Sequence, residues 1–237
     1  MHRFFSTSPL KPEIKLVSGN QFHQILRVFR SKIGDSIIFF EIGGNDIVYG
    51  ITCINKKEVI LKQKNVIKKI LKKENEIKLF QAYPNKISTM EFIVQKMVEL
   101  GISEILFFPS ERSQIKNIPA PKKSRLEAIA LESLEQSGGN IPIKISYSTE
   151  NIPELWGGDD LLHIAGTIGE KQKLDITDWN GALGFWVGPE GGWSEEEKNF
   201  FLKNNVKLWS FNANILRLET ASIVGIGLLK YLSQIGK

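Results

Sequence analysis

The stretch of this 237-residue chain that most clearly suggests chemistry is a glycine-rich turn, Gly188-Pro189-Glu190-Gly191-Gly192. Glycines at such a corner allow a backbone to approach a ligand closely. The apolar run "ALGFWV" leads into the turn, and Ser194 with Glu197 has the spacing of a capping box that begins a helix. Backbone amides at a helix start normally attract an anion, so the first question is which ligand the turn would hold.

Acidic residues around the turn argue against a phosphate ligand. Glu190 lies within it, and residues 195–197 are all glutamate. No Gly-Lys-Ser/Thr sequence follows to bind a triphosphate, and the spacing differs from the Gly-x-Gly-x-x-Gly dinucleotide fingerprint. S-adenosylmethionine fits better, because its sulfonium is cationic and its adenosine carries no phosphate. From composition alone, an ordinary strand-to-helix turn remains the alternative.

The elements around this turn predict an α/β domain with a largely parallel sheet. Short apolar runs indicate strands at "EIKLFQAY", "EILFF", "IPIKISYS", "DLLHIAG", "ALGFWV" and "VKLWSF". Helical patterns lie between them, one ending at Gly101, one at about 121–136, one after Ser194 and the last at about 219–234. A ligand site is expected outside the carboxyl ends of such strands, where the glycine-rich turn lies.

A different pattern precedes residue 72, where we place a domain boundary. Strand-like runs "SIIFFEI", "NDIVYGITCI" and "EVILKQKNVI" predict a small antiparallel barrel or sheet. One amphipathic helix interrupts them, with Phe22, Ile25, Leu26 and Phe29 on its apolar stripe. His23, Arg27 and Arg30 repeat that spacing one residue on, along the edge of the stripe. These three could bind phosphates, or they could be ordinary charged flanks.

The charge is distributed unevenly. Residues 1–80 contain 15 Lys and Arg against 7 Asp and Glu, a net charge of +8, whereas residues 81–237 contain 16 against 19, a net charge of −3. A basic first part suggests contact with a polyanion such as a nucleic acid. A solvated lysine face is the alternative.

Composition excludes several classes of site. The single cysteine, Cys53, cannot form an internal disulfide or a cysteine-built zinc site, and three scattered histidines make no metal ligand set. The first residues lack the apolar core of a signal peptide, and no apolar run approaches the roughly 20 residues that span a bilayer. We therefore expect a soluble, cytoplasmic protein without a metal or a membrane partner.

A second motif follows the glycine-rich turn and changes the interpretation. "FNANILRLETASIVG" places Arg217 and Glu219 in one loop with Leu216. Together the two motifs resemble those of the bacterial 16S ribosomal RNA uracil-N3 methyltransferases of the SPOUT superfamily. The likeness covers nearly the whole chain, in order: "HRFF", "HQILRVFR", "IVQKMVELGISEI", "SERS" and "ESLEQSGGN" also look like motifs of that family.

The resemblance implies a fold and partners that periodicity could not give. It implies a PUA-like RNA-binding barrel at residues 1–72, followed at 73–237 by a SPOUT α/β domain with a carboxyl-terminal trefoil knot. It also implies a homodimer, S-adenosylmethionine as methyl donor, and 16S RNA as substrate, in the assembled small ribosomal subunit. The donor would be held by the turn after "DLLHIAG", the glycine-rich turn and the loop of the second motif. The residues expected to contact it are His163, Ile164, Gly188, Pro189, Glu190, Gly191, Gly192 and Leu216.

The reaction itself suggests roles for two residues. Uracil N3 must lose its proton before it can attack a methyl group. We expect Arg217 to stabilise negative charge on the uracil oxygens and Glu219 to accept the proton or to position Arg217. A structural Arg217–Glu219 pair that fastens the loop is the alternative.

RNA contacts are expected from basic residues of both parts. The candidates are Arg3, His23, Arg27, Arg30, Lys86 and Arg112. The chain departs from the family pattern at Asn212, Ile87 and Gly139, and two of these changes remove positive charge near the expected RNA path. Methylation of another RNA, such as transfer RNA, or a non-catalytic role in ribosome assembly therefore stay as alternatives.

Overall fold

A computed structural model describes residues 1–69, 76–156, 160–169, 174, 181–211 and 214–235. The chain forms two compact units, the first of Met1–Lys72 with Leu134–Pro142 and the second of Lys73–Ser133 with Ile143–Lys237. The predicted boundary near residue 72 falls in 70–75, outside the described residues. Within the described helices, none is long and apolar enough to cross a membrane.

The first unit is built on a five-stranded sheet in the order β1-β3-β4-β5-β2. Its elements are β1 (Arg3–Phe5), β2 (Glu13–Leu16), α1 (Asn20–His23), β3 (Ser36–Phe40), β4 (Asp46–Ile54) and β5 (Val59–Ile67). β1 runs parallel to β3, and the other pairs are antiparallel. The sequence predicts β3, β4 and β5, but β1 and β2 are too short to stand out.

The amphipathic helix of the first unit is partly π-helical. α1 continues into a π-helical segment, Gln24–Val28, where the Phe29 N–H donates to the Gln24 carbonyl at 2.9 Å. Phe22 and Ile25 are buried in the core, and Leu26 and Phe29 pack against it. The predicted apolar stripe is therefore correct, although the wider turns were not predicted. π-helical turns are rare and often occur at functional sites.

Residues 134–142 belong to the first unit, which was not predicted from the sequence. The Asn140 side chain donates to the Gly44 carbonyl at 2.6 Å, and the Gly43 N–H donates to the Asn140 carbonyl at 2.8 Å. The Phe5 N–H donates to the Glu135 carboxylate at 2.8 Å. The motif "ESLEQSGGN" thus ends in residues that complete the first unit.

The second unit contains a six-stranded sheet in the order β11-β9-β10-β6-β7-β8, and every pairing is parallel. This confirms the predicted mixed α/β fold with a parallel sheet. The strands are β6 (Ile77–Ala82), β7 (Glu104–Phe108), β8 (Lys144–Tyr147), β9 (Leu162–Gly166), β10 (Leu183–Val187) and β11 (Lys207–Trp209). β10 is buried along its whole length, as expected for a central strand of a parallel sheet.

Five helices connect or flank these strands in the described part of the unit. They are α2 (Ile87–Leu100), α3 (Ala120–Ser137), α4 (Ile152–Leu155), α5 (Glu195–Lys203) and α6 (Leu218–Ile235). α2 ends at Gly101, whose φ of 65° is the left-handed conformation that glycine adopts without strain. α5 and α6 begin close to the glycine-rich turn and to the loop with Arg217, so both motifs lie at helix starts.

Candidate active site

Loops at the carboxyl ends of the parallel strands line one cleft of about 680 Å³ in the second unit. Small-molecule sites typically have volumes of about 300–1,000 Å³. Carboxyl ends of parallel strands share one edge of the sheet, which explains why distant segments meet here. The described lining comes from Asn85, Lys86 and Thr89, from Arg112, from 166–169, from 187–193, from Lys198, and from 210–211, 214–219 and Ala221.

The glycine-rich turn forms part of this lining, and close packing requires its glycines. A Cβ on Gly188 would lie 3.1 Å from the Trp193 indole, and one on Gly191 would lie 3.3 Å from Arg112 Cβ. Gly192 has a φ of 67°, and its N–H donates to the Pro189 carbonyl at 2.9 Å. The turn is therefore compact, and the backbone at its glycines lies close to the residues around it.

Hydrogen bonds join the turn to three other loops. Glu190 Oε1 accepts from the Asn85 N–H at 3.0 Å, after β6. Arg112 Nη1 donates to the Gly191 carbonyl at 3.1 Å, after β7. Trp193 Nε1 donates to the Gly166 carbonyl at 2.8 Å, at the end of β9. The cleft wall around the turn is thus preorganised by hydrogen bonds within the protein.

The predicted capping box is present at the start of α5. Ser194 Oγ accepts from the Glu197 N–H at 3.1 Å, and Glu197 Oε2 accepts from the Ser194 N–H at 2.9 Å. These two bonds satisfy amides that an uncapped helix would leave unpaired. They are consequently used within the protein rather than directed at an anionic ligand.

Basic residues outnumber acidic ones in the described lining. The cations are Lys86, Arg112, Lys198 and Arg217, and the anions are Glu190 and Glu219. The Lys198 ammonium donates to Glu195 at 2.8 Å. This hydrogen bond and the charge of Lys198 lower the pKa of the Glu195 carboxyl, and Arg112 contributes a smaller effect. The cleft therefore suits a partner that carries negative charge beside a smaller ligand.

The loop with the two proposed catalytic residues forms another part of the lining. Arg217 is exposed and Glu219, in the first turn of α6, is half-buried. Within 181–211 and 214–235, the side chains of these two residues have no hydrogen bond or ion pair, and none joins them to each other. Within the described residues, Arg217 and Glu219 therefore do not form the structural pair that was the alternative.

Buried residues anchor α6 directly after this loop. Leu218 is buried, and the Ser222 hydroxyl donates to Gln81 Oε1 at 2.6 Å in the interior. Leu216, which was expected to contact the donor, lines the cleft. The charged residues thus lie on a segment whose helical side is fixed and whose loop side faces the cavity.

Two of the residues expected to contact the donor lie elsewhere. His163 and Ile164 are buried within β9, and neither lines the cleft. His163 Nδ1 accepts from Trp186 Nε1 at 2.9 Å, so this imidazole is part of an aromatic core. The residues at the end of β9 and just after it that do line the cleft are Gly166, Thr167, Ile168 and Gly169.

The RNA candidates also separate into different environments. Lys86 and Arg112 line the cleft, while His23, Arg27 and Arg30 are exposed on the first unit. Arg3 must be corrected, because its side chain is only 8% exposed and is paired with Asp46 at 2.8 Å. It also donates to the Leu134 carbonyl at 3.1 Å and lies over the Phe40 ring. A guanidinium held in this way is a structural element of the first unit.

Sequence reasoning missed several lining residues, among them Asn85, Trp193 and Lys198. Thr167 lies in the turn after "DLLHIAG", which was expected to hold the donor, although the residue itself was not named. Asn85 Oδ1 and Thr167 Oγ1 are buried and have no hydrogen-bond partner among the described residues. Such atoms are rare in protein interiors, and a ligand is one way to complete them.

The three departures from the family pattern have different structural settings. Ile87 is half-buried and begins α2. A Cβ on Gly139 would lie 2.8 Å from Leu134 Cδ1, so close packing explains that glycine. Asn212 lies outside the described residues.

Comparisons with known proteins agree with these features. A family model described as RNA methyltransferase domain matches residues 71–230. The chain is 30% identical over 222 residues to ribosomal RNA small subunit methyltransferase E 2 of Borreliella burgdorferi, covering 89% of this chain and 88% of that protein. It is 25% identical over 236 residues to ribosomal RNA small subunit methyltransferase E of Bacillus subtilis, covering 92% and 90%.

A solved structure is also similar over the whole chain. It is a ribosomal RNA small subunit methyltransferase E from Neisseria gonorrhoeae bound to S-adenosyl methionine. The two chains have a TM-score of 0.81 and are 26% identical, with 98% of each covered.

Proposed function

Because this chain belongs to the RNA methyltransferase family that includes the ribosomal RNA small subunit methyltransferase E proteins, we propose that it methylates small-subunit ribosomal RNA. The substrate would be 16S RNA, the donor S-adenosylmethionine, and the acceptor atom N3 of one uridine. The observation that carries the proposal is the cleft, in which the glycine-rich turn and the loop with Arg217 and Glu219 line one cavity.

The residues present fit S-adenosylmethionine. Glycine backbone and the apolar side chains of Ile168, Val187 and Leu216 offer surface to an uncharged nucleoside. Glu190 and Glu219 can balance positive charge, and the unpartnered Asn85 Oδ1 and Thr167 Oγ1 offer polar contacts. When bound, this donor supplies a methyl group activated by the sulfonium. The Neisseria gonorrhoeae relative, which is bound to S-adenosyl methionine, supports the assignment.

Arg217 and Glu219 are the residues to which we assign the chemistry. Glu219 would accept the N3 proton, so that the nitrogen electron pair can form the new N–C bond while the methyl–sulfur bond breaks and its electrons leave with the sulfur as a neutral thioether. Arg217 would stabilise the negative charge that develops on the uracil oxygens. Both side chains line the cavity, and neither is engaged with another described residue, which leaves them available to a base.

RNA would be held by cationic residues outside the reacting centre. Lys86, Arg112 and Lys198 in the cleft could bind phosphates, as could His23, Arg27 and Arg30 on the first unit. We assign the first unit to a PUA-like RNA-binding module and the second to a SPOUT domain with a carboxyl-terminal knot. We also propose that the protein acts as a cytoplasmic homodimer on the assembled subunit; a monomer mass in light scattering would contradict the dimer.

Methyl transfer from labelled S-adenosylmethionine tests the proposal directly. The acceptors would be undermethylated small ribosomal subunits, protein-free 16S RNA and bulk transfer RNA, with the modified base mapped afterwards. N3-methyluracil at one 16S position, lost in Arg217→Ala, is the expected result. Label in transfer RNA would show that transfer RNA, rather than 16S RNA, is the substrate. Binding of the donor without any methyl transfer would indicate a non-catalytic protein.

A further inference from the structure

Glu197 makes more contacts than a capping box requires. Its Oε2 accepts from the Ser194 N–H, as the box predicts, and the side chain is buried. Its Oε1 accepts from the Ser110 hydroxyl at 2.7 Å and from the Glu111 N–H at 3.0 Å. One carboxylate therefore joins the start of α5 to the loop after β7.

The other contacts of that loop make it rigid. Lys116 Nζ donates to the Ser110 carbonyl at 2.6 Å and to the Glu111 carbonyl at 3.1 Å. The Ser110 N–H donates to Ser113 Oγ at 3.2 Å, and the Ser113 N–H donates to the Ser110 carbonyl at 3.1 Å. The loop Ser110–Ser113 is thus held by a carboxylate on one side, an ammonium on another and its own turn.

Arg112 is the residue that this loop delivers to the cleft. Its guanidinium donates to the Gly191 carbonyl at 3.1 Å, and its Cβ and Cδ pack against the position of Gly191. Gly191 lies three residues before Ser194, so α5 and the glycine-rich turn form a short continuous segment. Glu197 therefore fixes both the backbone that carries Arg112 and the backbone that Arg112 contacts.

We propose that Glu197 is a positioning residue for RNA, which acts by holding the loop Ser110–Ser113 so that the Arg112 guanidinium faces a phosphate of the substrate. This rests on the proposed function, since it assigns Arg112 to RNA. Phosphate binding needs the guanidinium at a fixed place and orientation, and Glu197 supplies that through two hydrogen bonds made by one oxygen. A simple helix cap would need only the bonds to Ser194.

The test compares Glu197→Gln with Glu196→Gln, which removes a carboxylate from the same helical turn but is exposed. Ser110→Ala adds a variant that removes one loop contact and leaves the capping box intact. For Glu197→Gln we expect the KM for RNA to rise about tenfold while kcat changes less than about twofold, because Arg112 binds ground and transition states alike. The slope of log affinity against log salt should fall by about 0.7–0.9, the loss of one phosphate contact.

Two further measurements decide whether the effect passes through Arg112. In an Arg112→Ala background, Glu197→Gln should leave the KM for RNA unchanged; an undiminished tenfold effect there would overturn the proposal. Amide hydrogen exchange of residues 110–113 should be faster in Glu197→Gln than in Glu196→Gln, and equal rates would also overturn it. Exchange needs neither RNA nor activity, so a wild-type protein that transfers no methyl group would refute the proposed function without deciding this one.

Discussion

The glycine-rich side of the cleft and the loop at residues 214–219 reach the same cavity, but they are held differently. On the first side, Glu190, Arg112 and Trp193 each donate or accept a hydrogen bond that ties residues 188–193 to another loop. On the second, Ile215 is 77% exposed and Arg217 is exposed. We refer to residues 188–193 as the braced wall and to residues 214–219, which run from the exposed loop into the first turn of α6, as the open loop.

This difference suggests a division of labour. A braced wall is suited to binding, because a preorganised surface loses little entropy when a ligand arrives. Side chains on an open loop can adjust to a base that must be turned out of its stack before it reacts. Substitutions in the open loop should therefore affect the rate of the chemical step, and those in the braced wall should affect binding.

The largest effect is expected for Glu219→Gln in the open loop. Removing the proton acceptor should lower kcat by about 10³-fold at neutral pH, within the usual range for a general base. The residual rate should rise with pH, because the uracil then loses its proton to solvent. Single-turnover methyl transfer across pH measures this, with Glu196→Gln as a control that removes a carboxylate outside the cleft. A rate profile equal to that of the wild type would show that Glu219 is not the base.

Arg217→Ala should have the next largest effect. Loss of one group that stabilises a developing negative charge typically costs about 10²–10³ in kcat. The KM for the donor should change little, since the braced wall is intact. If Arg217→Ala instead raised KM and left kcat unchanged, the open loop would be a binding element and the division of labour would be wrong.

The braced wall also shows what sequence reasoning could reach. The glycine-rich turn, the capping box and all six strands of the parallel sheet follow from local patterns of glycine, apolar runs and helix starts. The contacts of Glu197 with Ser110 and Glu111 do not, because they join residues 87 and 86 positions apart. The local spacing identifies Glu197 as a capping residue, but its contacts with the loop after β7 can be seen only in the folded structure.

Arg3 and His163 illustrate the same limit. Arg3 lies in a basic segment, and nothing nearby in the sequence indicates that Asp46, 43 positions away, neutralises it in the interior. His163 precedes the end of β9 by three residues, so it stays in the sheet, whereas the residues that line the cleft begin at Gly166. The turn after β9, which was also expected at the site, does line the cleft, whereas the two residues named within the strand do not.

Gly191→Ala tests the braced wall with a smaller expected effect. Its new methyl group would lie 3.3 Å from Arg112 Cβ, so Arg112 must move by a few tenths of an ångström. We expect the KM for RNA or for the donor to rise about fivefold, with kcat unchanged. A rise of that size corresponds to the low end of the free-energy cost of overpacking. Gly227→Ala is the matched control, because among the described residues no atom beyond its own helix backbone lies within 4 Å of the added Cβ. If kcat changed in Gly191→Ala but not in Gly227→Ala, the braced wall would contribute to the chemical step as well as to binding.

Arg27→Ala carries the comparison to the first unit and should have the smallest effect. Arg27 is exposed, so its loss should weaken RNA binding about threefold and lower the salt slope by about 0.7–0.9, without changing kcat at saturating RNA.

Arg3→Lys is the control for Arg27→Ala. Since Arg3 is paired with Asp46 and buried, that change should lower the thermal midpoint of unfolding and leave the salt slope as it is. Equal salt slopes for Arg27→Ala and wild type would mean that the π-helical segment does not bind phosphate, and that RNA affinity resides in the cleft.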